Sequence, residues 1–306
     1  MLVDEAVLRS FLRLSGEATL HVEDLPGPGR SERVIVSGAE GGESVYVVND
    51  DPEPERAMNH AAVLEALTNT GYPHIPRLVA VSGTATIEEE PRGMALIGLR
   101  PDAAMMERAI DALAALHRLD IREGLDQGAE PNDVLPAAEP PLHRLGFAAH
   151  ERAPALEPFR SAHAALLKTP FGFAHRELTA TNVVVAQDAV TFTRFGAAGY
   201  GPQLFDVAAL LATANVPAPA RRDLAVRYAS HTGGDPDTIA DLVDLAGIAW
   251  GVEYELDLPK RQIAVLGDEA GMERLVLEST RIRETFRDPA GEHPLATEIR
   301  RALWSQ

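Results

Sequence analysis

The periodicity of the apolar residues changes near residue 91, and this change limits the fold more than any other feature of the chain. Before it, ATLHVEDL at 18–25 alternates apolar and polar residues. RVIVSG at 33–38 and ESVYVVND at 43–50 are β-branched runs around a glycine-rich turn, and PRLVAVSG and TATIEEE continue the pattern. Such runs are typical of strands, and the pair around the turn predicts a hairpin.

Helical spacing of apolar residues is confined to two segments of this first part, at 1–16 and 54–71, but it dominates after residue 91. Residues 122–142 are rich in Pro, Gly and acidic residues, which favours a loop. We therefore predict an α+β protein with two lobes, a small β-rich N-terminal lobe at 1–91 and a large helical C-terminal lobe at 92–306.

Composition excludes several classes of function. The chain has 306 residues and no cysteine, which rules out disulfides, thiolate metal sites and a cysteine nucleophile. Its formal net charge of −18 opposes the binding of nucleic acids. No apolar run is long enough to span a membrane, and the first residues do not resemble a signal peptide. We expect a cytoplasmic protein that binds neither nucleic acid nor membranes.

Two segments carry the most specific motif, FGFAHRELTATNVVV at 171–185 and RFGAAGYGPQLFDVAALLA at 194–212. They resemble the H-G-D-x-x-x-x-N loop, the D-F-G segment and the following Asp of the aminoglycoside phosphotransferase and choline kinase-like family, distant relatives of the protein kinases. His175, Asn182, Phe195, Gly196 and Asp206 fall at the matching positions. The resemblance extends over most of the chain and implies the two-lobed protein kinase-like fold.

The resemblance also implies which side chains an active member uses. A Lys on the third strand grips the nucleotide phosphates and is held by a Glu on the next helix. Here the Lys position falls at Val48 or Asn49, and no lysine precedes Lys168. The helix Glu position falls at His60. The phosphate clamp of the family is therefore expected to be missing.

The two remaining acidic positions are also changed. Glu177 stands for the catalytic-loop Asp, and its extra methylene displaces the carboxylate by about 1 Å, which can lower a rate about 100-fold. Arg194 stands for the metal-binding Asp, and a guanidinium has no lone pair for Mg²⁺. Asn182 alone is a weak magnesium ligand, so we expect no metal site and no ATP or Mg²⁺ cofactor by the usual route.

The candidate site consists of catalytic-position and ligand-binding residues. The first group is Glu177, His175 in a mainly structural role, and Arg194; the second is Asn182, Arg33, Asn49 and His60. Arg194 is expected either to pair with Glu177 or another acidic residue, or to grip an anion. Simpler interpretations stay open for two further positions, because Asn182 can hydrogen-bond the loop backbone and Asp206 can cap a helix.

Three functions are compatible with these residues. The first is a pseudokinase that binds a small-molecule ligand or a protein partner without phosphoryl transfer. The second is an atypical phosphotransferase that uses Glu177 and ATP with Mg²⁺ on a small hydroxyl or amine compound; a cationic acceptor would be drawn by acidic residues of the late helices, namely Asp241, Asp244, Glu253, Glu255 and Asp257. The third is a cleft between the lobes that has acquired another chemistry.

Overall fold

The computed structural model describes residues 1–25, 30–38, 42–121, 157–158, 161–162, 164–166 and 168–304. The predicted loop at 122–142 and parts of a predicted helix at 154–169 lie outside the described residues. Within them, a small antiparallel sheet is followed by a helical lobe, so the predicted α+β class is confirmed. The predicted division at residue 91 falls between the last strand of that sheet and the helical lobe.

The N-terminal sheet has the strand order β1-β2-β3-β5-β4, and its paired neighbours are antiparallel. The strands are β1 (Thr19–Leu25), β2 (Arg30–Ser37), β3 (Glu43–Asp50), β4 (Leu78–Ser82) and β5 (Ala85–Glu89). The predicted hairpin is the β2–β3 pair. Helix α2 (Pro54–Asn69) connects β3 to β4, and Gly71 follows it with a φ of 72°, a conformation that glycine adopts without strain.

Helix α1 (Glu5–Phe11) is shorter than the helix predicted over 1–16. Asp4 caps it by accepting a hydrogen bond from the Ala6 N–H at 2.8 Å, and Arg13 ends the helical path with a φ of 52°. Leu12 and Leu14 continued the apolar pattern in the sequence, but in the structure they pack against the sheet from non-helical backbone. The prediction of the helix end was wrong because burial of these two residues does not require a helix.

The two faces of the sheet differ in chemistry. One face packs on α1 and buries Leu8, Val34, Val48 and Ile87, all fully enclosed. Because side chains alternate along a strand, Asn49 and Glu88, the neighbours of Val48 and Ile87, lie on the other face. Of the two positions that the sequence left open for the missing Lys, Asn49 is therefore the one that faces α2.

The helical lobe contains three short strand pairings that the sequence predicted only in part. β8 (Val183–Val185) and β9 (Val190–Phe192) form the predicted pair, and β6 (Met94–Ala95) joins them. β7 (Phe171–Ala174) and β10 (Gly199–Pro202) pair with each other and were not predicted. The pairing of β7 with β10 brings the two motif-bearing segments side by side.

The helices around these strands share one large apolar core. Most were predicted, but the last one was missed although Leu295, Ile299 and Leu303 have helical spacing there. In chain order they are α3 (Ala103–His117), α4 (Leu204–Thr213), α5 (Ala218–Thr232), α6 (Pro236–Ala264), α7 (Glu269–Arg287) and α8 (Pro294–Trp304). Across the described part of the chain, no helix combines the length and the apolar character needed to cross a membrane.

Two of the acidic residues predicted to attract a cationic ligand serve the packing of these helices instead. Asp244 is 7% exposed, accepts two hydrogen bonds from the Arg300 guanidinium at 2.7 and 2.8 Å, and accepts another from the Ala290 N–H. Asp241 binds Arg222 at 3.0 Å. Both carboxylates are already paired with arginines, which leaves little negative charge at these two positions to draw a cation. The side chains of the other three lie outside the described residues.

We predict that Asp244→Ala lowers the free energy of unfolding by about 3–5 kcal/mol, because it leaves a largely buried guanidinium without its carboxylate. Urea unfolding followed by circular dichroism measures the change. The matched control is Asp237→Ala, which removes a carboxylate that also binds an arginine but is 84% exposed, and it should change little. Equal losses in the two variants would contradict the structural role of Asp244.

Candidate functional site

One face of α2 contacts both motif-bearing segments of the helical lobe. Arg56, Asn59 and His60 are spaced so that they lie on the same side of the helix. The Asn59 Nδ2 donates to the carbonyl oxygens of Gly196 at 3.1 Å and Ala198 at 2.8 Å. Gly196 packs closely on α2, since a Cβ there would lie 3.4 Å from the Arg56 backbone oxygen and Cβ, at the limit of ordinary van der Waals contact. The face therefore fixes the path of the segment that begins at Arg194.

Arg56 also binds the carboxylate in the catalytic-loop position. Its two terminal nitrogens reach the two oxygens of Glu177 at 2.7 and 3.3 Å, and its Nε reaches Asp51 Oδ2 at 3.4 Å. Burial acts to raise the pKa of Glu177, but the hydrogen bonds and charge of Arg56 outweigh it, and the pKa is lowered. The Glu177 carboxylate is thus bound by an arginine of the N-terminal lobe. The sequence did not identify Arg56 as this partner.

A second network fills the position of the missing Lys. Oε1 of Glu88 accepts hydrogen bonds from Asn49 Nδ2 at 3.0 Å and Thr86 Oγ1 at 2.8 Å, and it lies 2.8 Å from Nε2 of His60. Ser31 donates to the Asn49 side-chain oxygen at 2.8 Å. Asn49 and His60, both predicted as ligand-binding, are therefore brought together by a residue that was not predicted.

The hydrogen bonds of His60 define its tautomer. The Phe195 N–H donates to Nδ1 at 3.0 Å, so Nδ1 is an acceptor and the ring proton lies on Nε2, facing Glu88. Burial acts to raise the pKa of Glu88, but the interactions with His60, Thr86 and Asn49 outweigh it, and the pKa is lowered. Glu88 is 3% exposed. The cleft face of the sheet thus holds a buried carboxylate where the resemblance implies a lysine ammonium.

Arg194, at the position where the resemblance implies the metal-binding Asp, has a left-handed backbone conformation, with φ 65° and ψ 56°. Burial lowers the pKa of its guanidinium, and Arg274 adds to this, while Glu88 and Glu177 oppose it. An arginine stays protonated under such shifts. Glu177, the partner proposed for Arg194 in the sequence analysis, is instead hydrogen-bonded by Arg56.

These donors do not fit Mg²⁺. The ion requires oxygen ligands at about 2.0–2.1 Å, and a guanidinium supplies none. The Asn182 amide nitrogen donates to the Glu177 backbone oxygen at 2.7 Å. Asn182 therefore hydrogen-bonds the loop backbone, which is one of the two interpretations left open by the sequence. No group of three or more His, Asp or Glu side chains within the described ranges is placed to bind a metal ion.

Asp206 stabilises the start of the catalytic-position loop through hydrogen bonds to its backbone. It is 1% exposed and accepts hydrogen bonds from the backbone N–H groups of His175 at 2.6 Å and Arg176 at 2.7 Å. His117 faces the same carboxylate at 3.0 Å. Helix α4 begins at Leu204 and is preceded by Gln203, so the prediction that Asp206 caps it was wrong. The carboxylate turns toward the loop because two backbone donors there have no other acceptor.

His175 is fully buried against Phe195, with ring centroids 4.6 Å apart. Its Nε2 lies 2.8 Å from the Thr193 carbonyl oxygen, and burial lowers the pKa of the ring. Its Nδ1 is buried and has no hydrogen-bond partner among the described residues. The ring therefore supports the Arg194–Phe195 segment and has no open path for proton transfer.

Arg33 is not brought to this site. Its Nε donates to Glu90 at 2.8 Å, and it lies 3.6 Å from Glu23 at its other end. The turn beside it, at 26–29, lies outside the described residues. Glu32, the neighbour of Arg33 on β2, accepts a hydrogen bond from the Leu2 N–H at 2.7 Å.

Comparison with known proteins supports the predicted fold. A profile described as "Phosphotransferase enzyme family" matches residues 24–242. No curated protein matches the chain. Solved structures match along nearly its whole length, with identities below 20% that carry the fold alone.

Three of these structures illustrate the match. A choline/ethanolamine kinase family protein from Mesorhizobium loti has 16% identity and a TM-score of 0.62, with 98% of each chain covered. Choline kinase from Cryptosporidium parvum has 12% identity and a TM-score of 0.61, covering 93% of this chain and 96% of its own. Macrolide 2'-phosphotransferase from Brachybacterium faecium has 18% identity and a TM-score of 0.57, covering 91% and 98%. The predicted kinase-like fold is confirmed.

We predict that Glu88→Gln lowers the free energy of unfolding by about 1.5–3 kcal/mol at pH 7, the usual contribution of hydrogen bonds to a charged group. The folded-state pKa is lowered, so this stabilisation is present above the unfolded pKa of about 4.3 and is lost as the pH falls through the folded value. Urea unfolding between pH 7 and pH 3 should show wild type and variant converging. Exposed Glu55→Gln is the control, and a gap that persisted in acid would contradict an ionised Glu88.

Proposed function

This chain belongs to the phosphotransferase enzyme family, and we propose that it binds a small ligand or a protein partner in the cytoplasm without transferring phosphate from a magnesium–nucleotide complex. In this proposal it is a pseudokinase. The single observation that carries the proposal is the charged, partly buried Arg194, at the position that the resemblance assigns to the metal-binding Asp.

The charge at the metal position supports the proposal. Two unit charges about 4 Å apart interact by about 4 kcal/mol at an effective dielectric constant of about 20. Replacing a carboxylate by a guanidinium reverses the sign of this interaction with a divalent cation. Asn182 adds only a neutral amide oxygen, because its amide nitrogen donates to the loop backbone, and a neutral ligand does not offset the reversal.

The nucleotide side of the cleft supports the same proposal. Phosphoryl transfer depends on positive groups that neutralise the phosphates. The Asn49 amide is neutral, and the Glu88 carboxylate next to it carries the sign of the phosphates themselves. A triphosphate placed over this network would meet a buried negative charge, and the two donors that it needs, Asn49 and His60, are directed at Glu88.

The hydrogen bonds of Glu177 also support the proposal, because they compete with the binding of an acceptor hydroxyl. An acceptor hydroxyl must approach the catalytic carboxylate within hydrogen-bond reach, about 2.6–3.2 Å. Both oxygens of Glu177 already bind Arg56. Breaking this pair to receive a substrate would leave a partly buried guanidinium without its strongest partner.

An active phosphotransferase is the second candidate, and one observation favours it. The Glu177 side chain is 32% exposed and stays ionised, so an acceptor can reach it from solvent. Arg194 would then have to take the place of the metal in neutralising the transferred phosphoryl group. The assay that tests the pseudokinase proposal distinguishes the two candidates.

We predict that ATP with Mg²⁺ produces no metal-dependent rise in the melting temperature, where a bound ligand at 100 times its Kd would stabilise by about 2.7 kcal/mol. Radiolabelled ATP offered with a panel of small hydroxyl and amine acceptors should give no turnover beyond that of Glu177→Ala. The variant reports any contaminating kinase. A magnesium-dependent rise, together with turnover that Glu177→Ala abolishes, would establish the second candidate.

A further inference from the structure

Arg261 and Arg274 in the helical lobe each have a buried guanidinium nitrogen without a hydrogen-bond acceptor, and no carboxylate partner, among the described residues. Arg222, Arg227 and Arg300 each bind an aspartate at 2.6–3.0 Å. Arg261 on α6 and Arg274 on α7 make no such pair within the described ranges. In a chain with a net charge of −18, acidic partners are abundant, so two partly buried guanidinium groups without one require an explanation.

Both helices are fixed against the catalytic-position loop by one buried carboxylate. Glu278 on α7 is 7% exposed and accepts a hydrogen bond from the Tyr254 hydroxyl of α6 at 2.6 Å. Its other oxygen accepts the hydroxyl of Thr181, which lies in the loop between Glu177 and Asn182. Side chains near these contacts on α6 and α7 are therefore held beside the loop.

Arg274 lies one turn before Glu278, on the same face of α7. Its Nε donates to the Ala270 carbonyl oxygen at 3.2 Å, while its Nη2 is buried and finds no acceptor in the described part of the protein. It lies close enough to Arg194 to add to the lowering of that residue's pKa. Two positive groups are thus held near each other on the helical side of the cleft.

Arg261 completes the arrangement from α6. Its guanidinium carbon lies over the Tyr254 ring, 4.6 Å from the ring centroid, a cation–π contact that holds the group beside α6. Its Nε is buried without an acceptor in the described ranges, and its charge contributes to the lowered pKa of Glu177. The tyrosine that orients Arg261 is the one that binds Glu278.

We propose that Arg261 and Arg274 bind a small oxyanion, a carboxylate or a phosphate group, on the helical-lobe side of the cleft. Planar guanidinium groups with fixed donors match the geometry of such anions. An anion between them supplies acceptors for the two buried N–H groups and relieves the repulsion between Arg274 and Arg194. The cationic ligand expected from the sequence is the opposite chemistry.

This inference rests on the proposed function, since it takes the arginines to serve a ligand other than magnesium-bound nucleotide. Titration of the full chain with inorganic phosphate and, separately, with malonate tests it in buffer containing EDTA and no nucleotide. Calorimetry should show saturable binding of at least one of the two anions. The anion that binds more tightly shows whether the site prefers a phosphate group or a carboxylate. Arg261→Gln and Arg274→Gln should each weaken it at least tenfold. Arg287→Gln, which removes an exposed guanidinium at the far end of α7, should leave it unchanged.

The melting temperature without anion separates binding from a structural role. Arg274→Gln should melt at the same or a higher temperature than wild type, because it removes a like charge near Arg194. A lower melting temperature for this variant, no saturable binding of either anion, or equal weakening by Arg287→Gln would overturn the inference. None of these results depends on phosphoryl transfer, so a failure of the anion site is distinguished from a failure of the proposed function, which turnover of ATP would reveal.

Discussion

The hydrogen bonds from one face of α2 to the helical lobe determine how the rest of the cleft is arranged. Arg56 binds the Glu177 carboxylate, Asn59 binds carbonyl oxygens after Phe195, and His60 accepts the Phe195 N–H. These bonds cross from the N-terminal lobe to the segments that carry the family motif. Because each uses a group that would otherwise face the cleft, the protein satisfies its own polar groups before any ligand arrives.

The same bonds account for the altered charges. A carboxylate in the catalytic-loop position of a buried site needs a counter-charge, and Arg56 supplies it in place of a metal. A buried Glu88 needs donors, and Asn49, Thr86 and His60 supply them. The substitutions seen in the sequence therefore form two internally satisfied networks. Arg261 and Arg274, which belong to neither network, are the groups left for a ligand.

The sequence predicted the fold class, the β2–β3 hairpin, α2 and most of the later helices, because apolar periodicity reports directly on which side of an element is buried. It also singled out Asn49 and His60 as ligand-binding residues, and the structure brings both of them to Glu88. It missed Glu88 and Arg56, since a carboxylate in a strand and an arginine near a helix start are ordinary at their own positions. The spacing of Arg56, Asn59 and His60 on one helical face was a signal, but their partners lie about 120–140 residues away along the chain.

Manganese offers the most direct measurement of the central claim, that the cleft does not hold a metal-bound nucleotide. Crystals grown with ATP and Mn²⁺, measured at a wavelength where manganese scatters anomalously, reveal any bound ion by position. The account predicts no anomalous peak near Arg194 and Asn182. An anomalous peak there, bridging the outer phosphates of an ordered nucleotide, would contradict it.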